Sequence, residues 1–227
     1  MPNRFAQGKK AFGFCSVCGQ RADLSKLKPQ IIKQVATDCA RHLAGALHLS
    51  VAAGIRSDSL AVWLDSERIV RAMPNTPALV GQGMTGLYAR AAVAAADRGL
   101  VEAVIGTTGQ FLWVEREVDL DAVTALSGSG PAYVFYFLEA MRQAGTEMGL
   151  SAEIATRLAI GTFAGAARLA RDASEPPEVL RERVTSKGGT TYAALCSLED
   201  SGVKASFIKA LHAARDRARE LGDEFGA

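Results

Sequence analysis

The chain has 227 residues, 48% of them hydrophobic, which is enough for one or two domains with a real core. Its 26 basic and 24 acidic residues leave a net charge of +2, and no basic stripe with interleaved aromatics occurs, so a dedicated nucleic-acid surface is excluded. Glycine and proline break the uncharged runs, so none reads as a membrane span; the polar start lacks a signal peptide's apolar stretch, and a cytoplasmic location is expected.

Residues 1–22 carry turn-prone Gly, Pro and Asn without hydrophobic periodicity, which predicts an unrelated, frayed segment with no strand. Cys15 and Cys18 form a C-x-x-C, but no second pair or histidine stands at ligand spacing, and Cys39 and Cys196 are too scattered for a disulfide framework. His42, His48 and His212 are isolated and read as surface or capping residues, so no metal is expected.

From 23 to 117 helix and strand signals alternate, the pattern of an α/β domain. Pro29 suits the first position of a helix reaching about Leu43. Leu47–Ala53 reads as a buried parallel strand ending at Gly54, followed by a helix over Ser57–Leu64 and a strand over Arg68–Met73. Strands follow at Gly83–Tyr88 and Gln110–Glu115, with a helix from about Ala92 to Ile105 between them. Gly81-Gln82-Gly83-Met84-Thr85-Gly86 fits G-x-G-x-x-G as a string, but it follows a proline-rich turn and enters a strand, so it is a decoy and not a dinucleotide fingerprint.

Residues 118–227 are helical in pattern, with breaks at Gly149, Pro176-Pro177, Gly188-Gly189 and Gly202. Pro131–Met148 gathers Tyr133, Phe135, Tyr136 and Phe137, so nearly every face is apolar and the helix belongs at a buried, subunit-interface position. The small residues of Ala164–Ala170 would let helices approach closely.

Val184-Thr185-Ser186-Lys187-Gly188-Gly189-Thr190-Thr191-Tyr192-Ala193-Ala194-Leu195 carries the most chemistry. Its glycine pair permits backbone angles closed to other residues, and a helix starting after it would have Thr190 or Thr191 as N-cap. Unpaired N–H groups at such a start form a site for a carboxylate or phosphate. An ordinary threonine-capped loop is the alternative on this segment alone.

Four blocks occur in order: S-V-A-A-G-I from Ser50, M-P-N-T-P from Met73, S-G-S-G-P-A from Ser127, and T-S-K-G-G-T-T from Thr185. In combination they resemble the pyrroline-5-carboxylate reductase family from about Leu27 to the C-terminus. The resemblance implies a partial Rossmann-like domain whose first βαβ units are absent, followed by an all-α dimerisation domain. The domains are then an unrelated segment at 1–22, a dinucleotide-binding part at 23–117, and a dimerisation and substrate-binding part at 118–227. It also implies reduction of a cyclic C=N bond by NADPH or NADH, yielding L-proline, without a metal, in a homodimer or larger homo-oligomer with no nucleic-acid or membrane partner.

Carried onto this sequence, the resemblance makes Ser186, Gly188, Gly189, Thr190 and Thr191 the substrate clamp, with the Thr191 hydroxyl near the ring nitrogen as the catalytic group. Lys28, Pro29, Ala52, Ala53, Gly54, Asn75 and Thr76 would hold the nicotinamide end of the cofactor. Family members open with a hydrophobic strand and a glycine-rich pyrophosphate turn, which residues 1–20 do not match, so roughly 60 residues of two βαβ units lack a counterpart. Lys26 also stands where a core residue belongs. Three readings follow: a working reductase whose unusual start completes the cofactor half, an impaired relative that keeps dimerisation and the substrate loop, or a normal gene read from a wrong start or frame. The abrupt end of the resemblance near Leu27, beside intact later motifs, favours the third, and the reductase label survives in each.

Overall fold

In the computed structural model of the chain, residues 12–14, 21–23 and 29–225 are described. Lys28, Lys26 and the Cys15–Cys18 pair lie outside them. Contrary to the expectation of no strand near the start, β1 (Phe12–Phe14) and β2 (Arg21–Asp23) pair antiparallel, with Phe12 opposite Asp23. Three-residue strands are too short for an alternating pattern to register, although Phe-Gly-Phe carries aromatic strand propensity.

The α/β part then runs α1 (Pro29–Ala40), β3 (His48–Ser50), α2 (Ser57–Leu64), β4 (Ile69–Met73), a 3₁₀ turn (Thr76–Val80), β5 (Gly83–Ala89), α3 (Ala95–Ile105) and β6 (Gly109–Trp113). The sheet order is β3-β4-β5-β6. The helix crossovers α2 and α3 make β3/β4 and β5/β6 parallel, whereas the tight Pro74–Pro77 turn makes β4/β5 antiparallel, with Met73 opposite Gly86. The expected strand over Leu47–Ala53 shrinks to three residues, with a neighbour on one side only among the described residues, and Gly54 turns the chain away at φ 73°.

β4 sits inside the sheet, and its successive residues point to opposite faces. Ile69 joins Ala36, Ile55, Leu60 and Trp63 beneath α1 and α2, while Val70 joins Leu87, Val93, Val101 and Ile105 on the α3 side. The decoy glycines Gly83 and Gly86 are buried within β5, a strand as the sequence pattern predicted.

α4 (Asp119–Val123) and a π turn (Thr124–Gly128) lead to α5 (Gly130–Glu147), α6 (Ala152–Asp172), α7 (Pro177–Arg183), α8 (Thr190–Asp200) and α9 (Val203–Phe225). Two compact units result, residues 1–124 with 215–227, and residues 125–214. Within the helical unit the Ser151 hydroxyl accepts from the Ile154 amide and starts α6. α5 and α6 touch at Gly145, where a Cβ would stand 2.7 Å from the Ala155 Cβ. The Ala164–Ala170 stretch expected at a helix contact is instead exposed in the single chain. Among the described residues the only buried apolar side chains of this unit are Ala125, Ala155 and Ala159. Phe135 and Tyr136 of α5 are 61% and 67% exposed. The helix read as needing burial on nearly every side therefore leaves one face bare in one protomer, while Tyr133 and Phe137 pack edge-on against Phe207 of α9.

Candidate functional site

The segment between α7 and α8 builds its shape from its own backbone. The Thr185 hydroxyl donates to the Arg181 carbonyl (2.6 Å), and the Gly189 amide donates to the Ser186 carbonyl (3.0 Å). Gly188 takes φ 76°, which returns Gly189 to extended backbone at φ −81°, ψ 175°. A Cβ on Gly189 would lie 2.7 Å from Ser186 Oγ and 3.1 Å from the Ser186 carbonyl oxygen, so the loop closes this tightly only with glycine there.

Gly189, and neither threonine, is the N-cap, and no side chain caps the helix. That corrects the expectation of a threonine cap: the glycine pair turns the chain one residue earlier, so Thr190 and Thr191 occupy the first helical turn. The first bond of the helical series is the Ala193 amide to the Gly189 carbonyl (3.1 Å). The amides of Thr190, Thr191 and Tyr192 precede it and have no intrahelical acceptor. Their positive end of the helix dipole, with exposed Lys187 alongside, suits a carboxylate. Ser186, Gly188, Thr190 and Thr191 are solvent-exposed and Gly189 is half-buried, so the expected clamp residues share one accessible turn.

The second group lies in the α/β unit. Ala52, Ala53 and Gly54 follow the carboxyl end of β3, and Asn75 and Thr76 follow that of β4. β3 and β4 are parallel neighbours, so the two segments open on the same edge of the sheet, where ligands of open α/β sheets bind. Asn75 Oδ1 accepts from the Met84 amide (2.9 Å), which ties the proline turn to β5, and Thr76 is exposed. Gly54 backs onto Leu221 of α9. Pro29 is the first residue of α1. Ala52 and Ala53 border a cavity of about 720 Å³ between α1 and β3. Ala52, Ala53 and Gly54 leave little side-chain bulk after β3, as the expected nicotinamide contact requires. For its pyrophosphate, no glycine-rich strand-to-helix turn occurs among the described residues.

Sequence reasoning missed a buried polar centre in this unit. Arg71, inside β4, pairs with Glu117 (2.7 Å), their side chains only 9% and 16% exposed. Glu117 also accepts from the Ser57 amide and hydroxyl, each at 2.5 Å, and so caps α2 from 60 positions away in sequence. Arg90 donates to the Ser57 hydroxyl (3.1 Å) and pairs with Glu67 and Asp58; these hydrogen bonds, Glu67's foremost, hold its guanidinium well above the ordinary range. Nearby, Asp121 Oδ2 is buried without a partner, and burial pushes its carboxyl up against the pull of Arg56 and Arg71. The signal in the sequence was an arginine inside an apolar strand, Ile69-Val70-Arg71-Ala72-Met73. His48, read as a surface residue, is half-buried on β3, and burial lowers its pKa with help from Arg68.

The profile of the pyrroline-5-carboxylate reductase dimerisation family matches residues 117–221. A pyrroline-5-carboxylate reductase of Pseudomonas aeruginosa is 46% identical over 202 residues, covering 88% of this chain and 74% of that protein. One from Arabidopsis thaliana is 39% identical, covering 86% and 71%. Among solved structures, the Coxiella burnetii pyrroline-5-carboxylate reductase superposes with a TM-score of 0.81 at 41% identity, covering 86% of this chain and 73% of that one. The Plasmodium falciparum pyrroline carboxylate reductase with NADP bound gives 0.80 at 32% identity, covering 87% and 80%. Among the described residues no helix is long and apolar enough to cross a membrane.

Proposed function

Because the chain belongs to the pyrroline-5-carboxylate reductase family, we propose that it reduces 1-pyrroline-5-carboxylate to L-proline at the expense of NAD(P)H, as a cytoplasmic homodimer or larger homo-oligomer. The observation that carries this reading is the uncapped start of α8, an accessible row of backbone donors beside a threonine hydroxyl. The amides of Thr190, Thr191 and Tyr192 hold the substrate carboxylate, and Ser186 adds its hydroxyl from the loop. Glycine at 188 and 189 keeps that surface free of side chains. The Thr191 hydroxyl donates a hydrogen bond to the ring nitrogen and steadies it as it gains electron density, which is the catalytic role assigned to it.

A reduced nicotinamide, when bound, supplies the hydride to the C=N carbon. Ala52, Ala53, Gly54, Asn75 and Thr76, with Lys28 and Pro29, are assigned to its nicotinamide end. NADPH is the proposed donor, in keeping with the Plasmodium falciparum relative that carries NADP. Cofactor binding is assigned to residues 23–117, and substrate binding with dimerisation to residues 118–227. The bare aromatics of α5 support the dimer, since exposed apolar patches of this kind mark interfaces.

One observation favours a second reading. The lack of a glycine-rich phosphate turn among the described residues suits a chain that dimerises and binds substrate without turnover. NADPH oxidation by the purified chain, with and without pyrroline-5-carboxylate and beside the Pseudomonas aeruginosa relative, separates the two. Substrate-dependent oxidation supports the reductase. Its absence from a folded dimer that still binds L-proline supports the impaired relative.

A further inference from the structure

The segment after β3 is held from behind by the last turns of α9. Gly54 stands at φ 73°, and a Cβ there would lie 3.3 Å from the Leu221 Cβ and 3.6 Å from the Leu221 carbonyl oxygen. Two residues on, Arg56 reaches across α9 and donates from Nη2 to Asp223 Oδ1 (2.7 Å). Between these two contacts Gly222 is buried, and the guanidinium lies where its side chain would be. A methyl group on Gly222 would meet Nη2, Cζ and Nε of Arg56 at 3.0, 3.1 and 3.3 Å. Leu221 thus occupies the space left by one glycine, and Arg56 the space left by the other. Both sides belong to the same compact unit, residues 1–124 with 215–227.

Stability alone does not account for this interlock. Gly222 does not end its helix, which continues to Phe225, and glycine inside a helix is worse than alanine. The Arg56–Asp223 pair contributes little as a stabiliser, because Asp223 is 66% exposed. What the contact fixes is direction. Ile55 is fully buried, Arg56 is tied to Asp223, and Ser57 donates to Glu117, so three consecutive residues are pinned. Ala52, Ala53 and Gly54 run straight into that anchor. These are the small residues assigned to the nicotinamide end, and none has a side chain long enough to follow a displaced cofactor.

We infer that Arg56, seated on Gly222 and held by Asp223, is a positioning residue for the nicotinamide end of the site. It sets where residues 52–54 stand and acts through them, as the supporting layer of a preorganised site does. The inference rests on the cofactor assignment above and adds to it Arg56 and the end of α9.

The test is calorimetric titration of the full 227-residue chain and its variants with NADPH and, separately, with L-proline, beside thermal melting at one fixed concentration. Gly222→Ala adds a methyl group beneath the guanidinium and changes no charge. The flexible end of Arg56 is what gives way, so the helix stays and Arg56 leaves Asp223. Arg56→Met removes the pair and keeps the apolar stem. Each should raise the Kd for NADPH roughly tenfold, the scale of a sub-ångström misplacement, while the Kd for L-proline stays within about twofold. The double variant should do no worse than either single one, since both break the same contact. Gly222→Ala should melt no lower than the wild type, because alanine is the better helix former, so its weakened NADPH binding is not lost stability. Unchanged NADPH affinity in either single variant would overturn the inference. So would an equal loss for NADPH and L-proline with a lower melting temperature, the mark of general damage. A wild type that binds no NADPH refutes the cofactor assignment and takes this inference with it. NADPH binding that the variants leave intact keeps the assignment and removes Arg56 alone. Both readouts are binding measurements, so absence of turnover bears on neither.

Discussion

Replacing Glu117 by alanine removes the acceptor of three short hydrogen bonds, from Arg71 Nη1 and from the amide and hydroxyl of Ser57. Arg71 cannot swing into water, since its side chain is 9% exposed inside the sheet. Breaking one side of a buried pair costs about 3–5 kcal/mol, most of it the charge left behind, and an uncapped helix start adds about 1 kcal/mol. Asp121, whose carboxyl already feels Arg71, can take over part of the pairing and holds the total near the lower bound. We expect a loss of about 3–4 kcal/mol, which lowers a urea midpoint by roughly 1–2 M at the usual slopes for proteins of this class. The control is Arg71→Met with Glu117→Leu. With both charges gone, only the uncapped start of α2 remains and most of the stability returns. A loss below about 1 kcal/mol in Glu117→Ala, or a double variant that loses the sum of the single changes, would refute the account of this centre.

Thr191→Val should lower kcat by about a hundredfold, the scale of a lost catalytic hydrogen bond, with KM moving little; steady-state NADPH oxidation reads both, and an unchanged kcat removes Thr191 from the mechanism. Phe135→Glu places a charge on the bare face of α5 and should convert the oligomer to monomers in sedimentation; an unaltered mass would put the interface elsewhere. Asp121→Asn tests the sign of the raised carboxyl. Burial raises Asp121 in the folded chain, so stability is full while the group is protonated and falls as pH rises past the ordinary aspartate value of 3.8. The asparagine variant, which cannot ionise, should therefore exceed the wild type most at pH 7, and the gap in urea midpoint should narrow as pH falls toward 4; a gap that widens on acidification would reverse the assignment.

Much of this fold was legible because its punctuation is local. The helix over Ser57–Leu64 was placed to the residue, and the breaks at Gly149, Pro176-Pro177, Gly188-Gly189 and Gly202 all separate helices. The turn before α8 was readable for the same reason, since a positive φ at Gly188 is written in its chemistry. What stayed hidden depends on partners distant in sequence. The expected seven-residue strand at Leu47 is three residues long because pairing, and not propensity, sets its length. Glu117 as the cap of α2 could not be read from any neighbour of Ser57, because the two are joined only by folding. The threonine cap failed by one residue, a shift set by a single positive φ at Gly188.

The alanine-only interior of the helical unit carries a consequence for how the protein behaves on dilution. Methyl groups at Ala125, Ala155 and Ala159 and the packing of Tyr133 and Phe137 on Phe207 contribute little for a unit of this size, whereas Phe135, Tyr136 and Met141 of α5 and Ile154, Leu158 and Ile160 of α6 face outward. If a second copy covers those faces, as a dimerisation family would have it, the folding of this unit is coupled to its assembly. Its melting temperature then becomes a function of concentration, and each tenfold dilution removes about 1.4 kcal/mol from the dimer. The amount of protein a cell makes would then set the fraction that is folded, and a substitution on the outer face of α5 would act as a core substitution in two molecules at once.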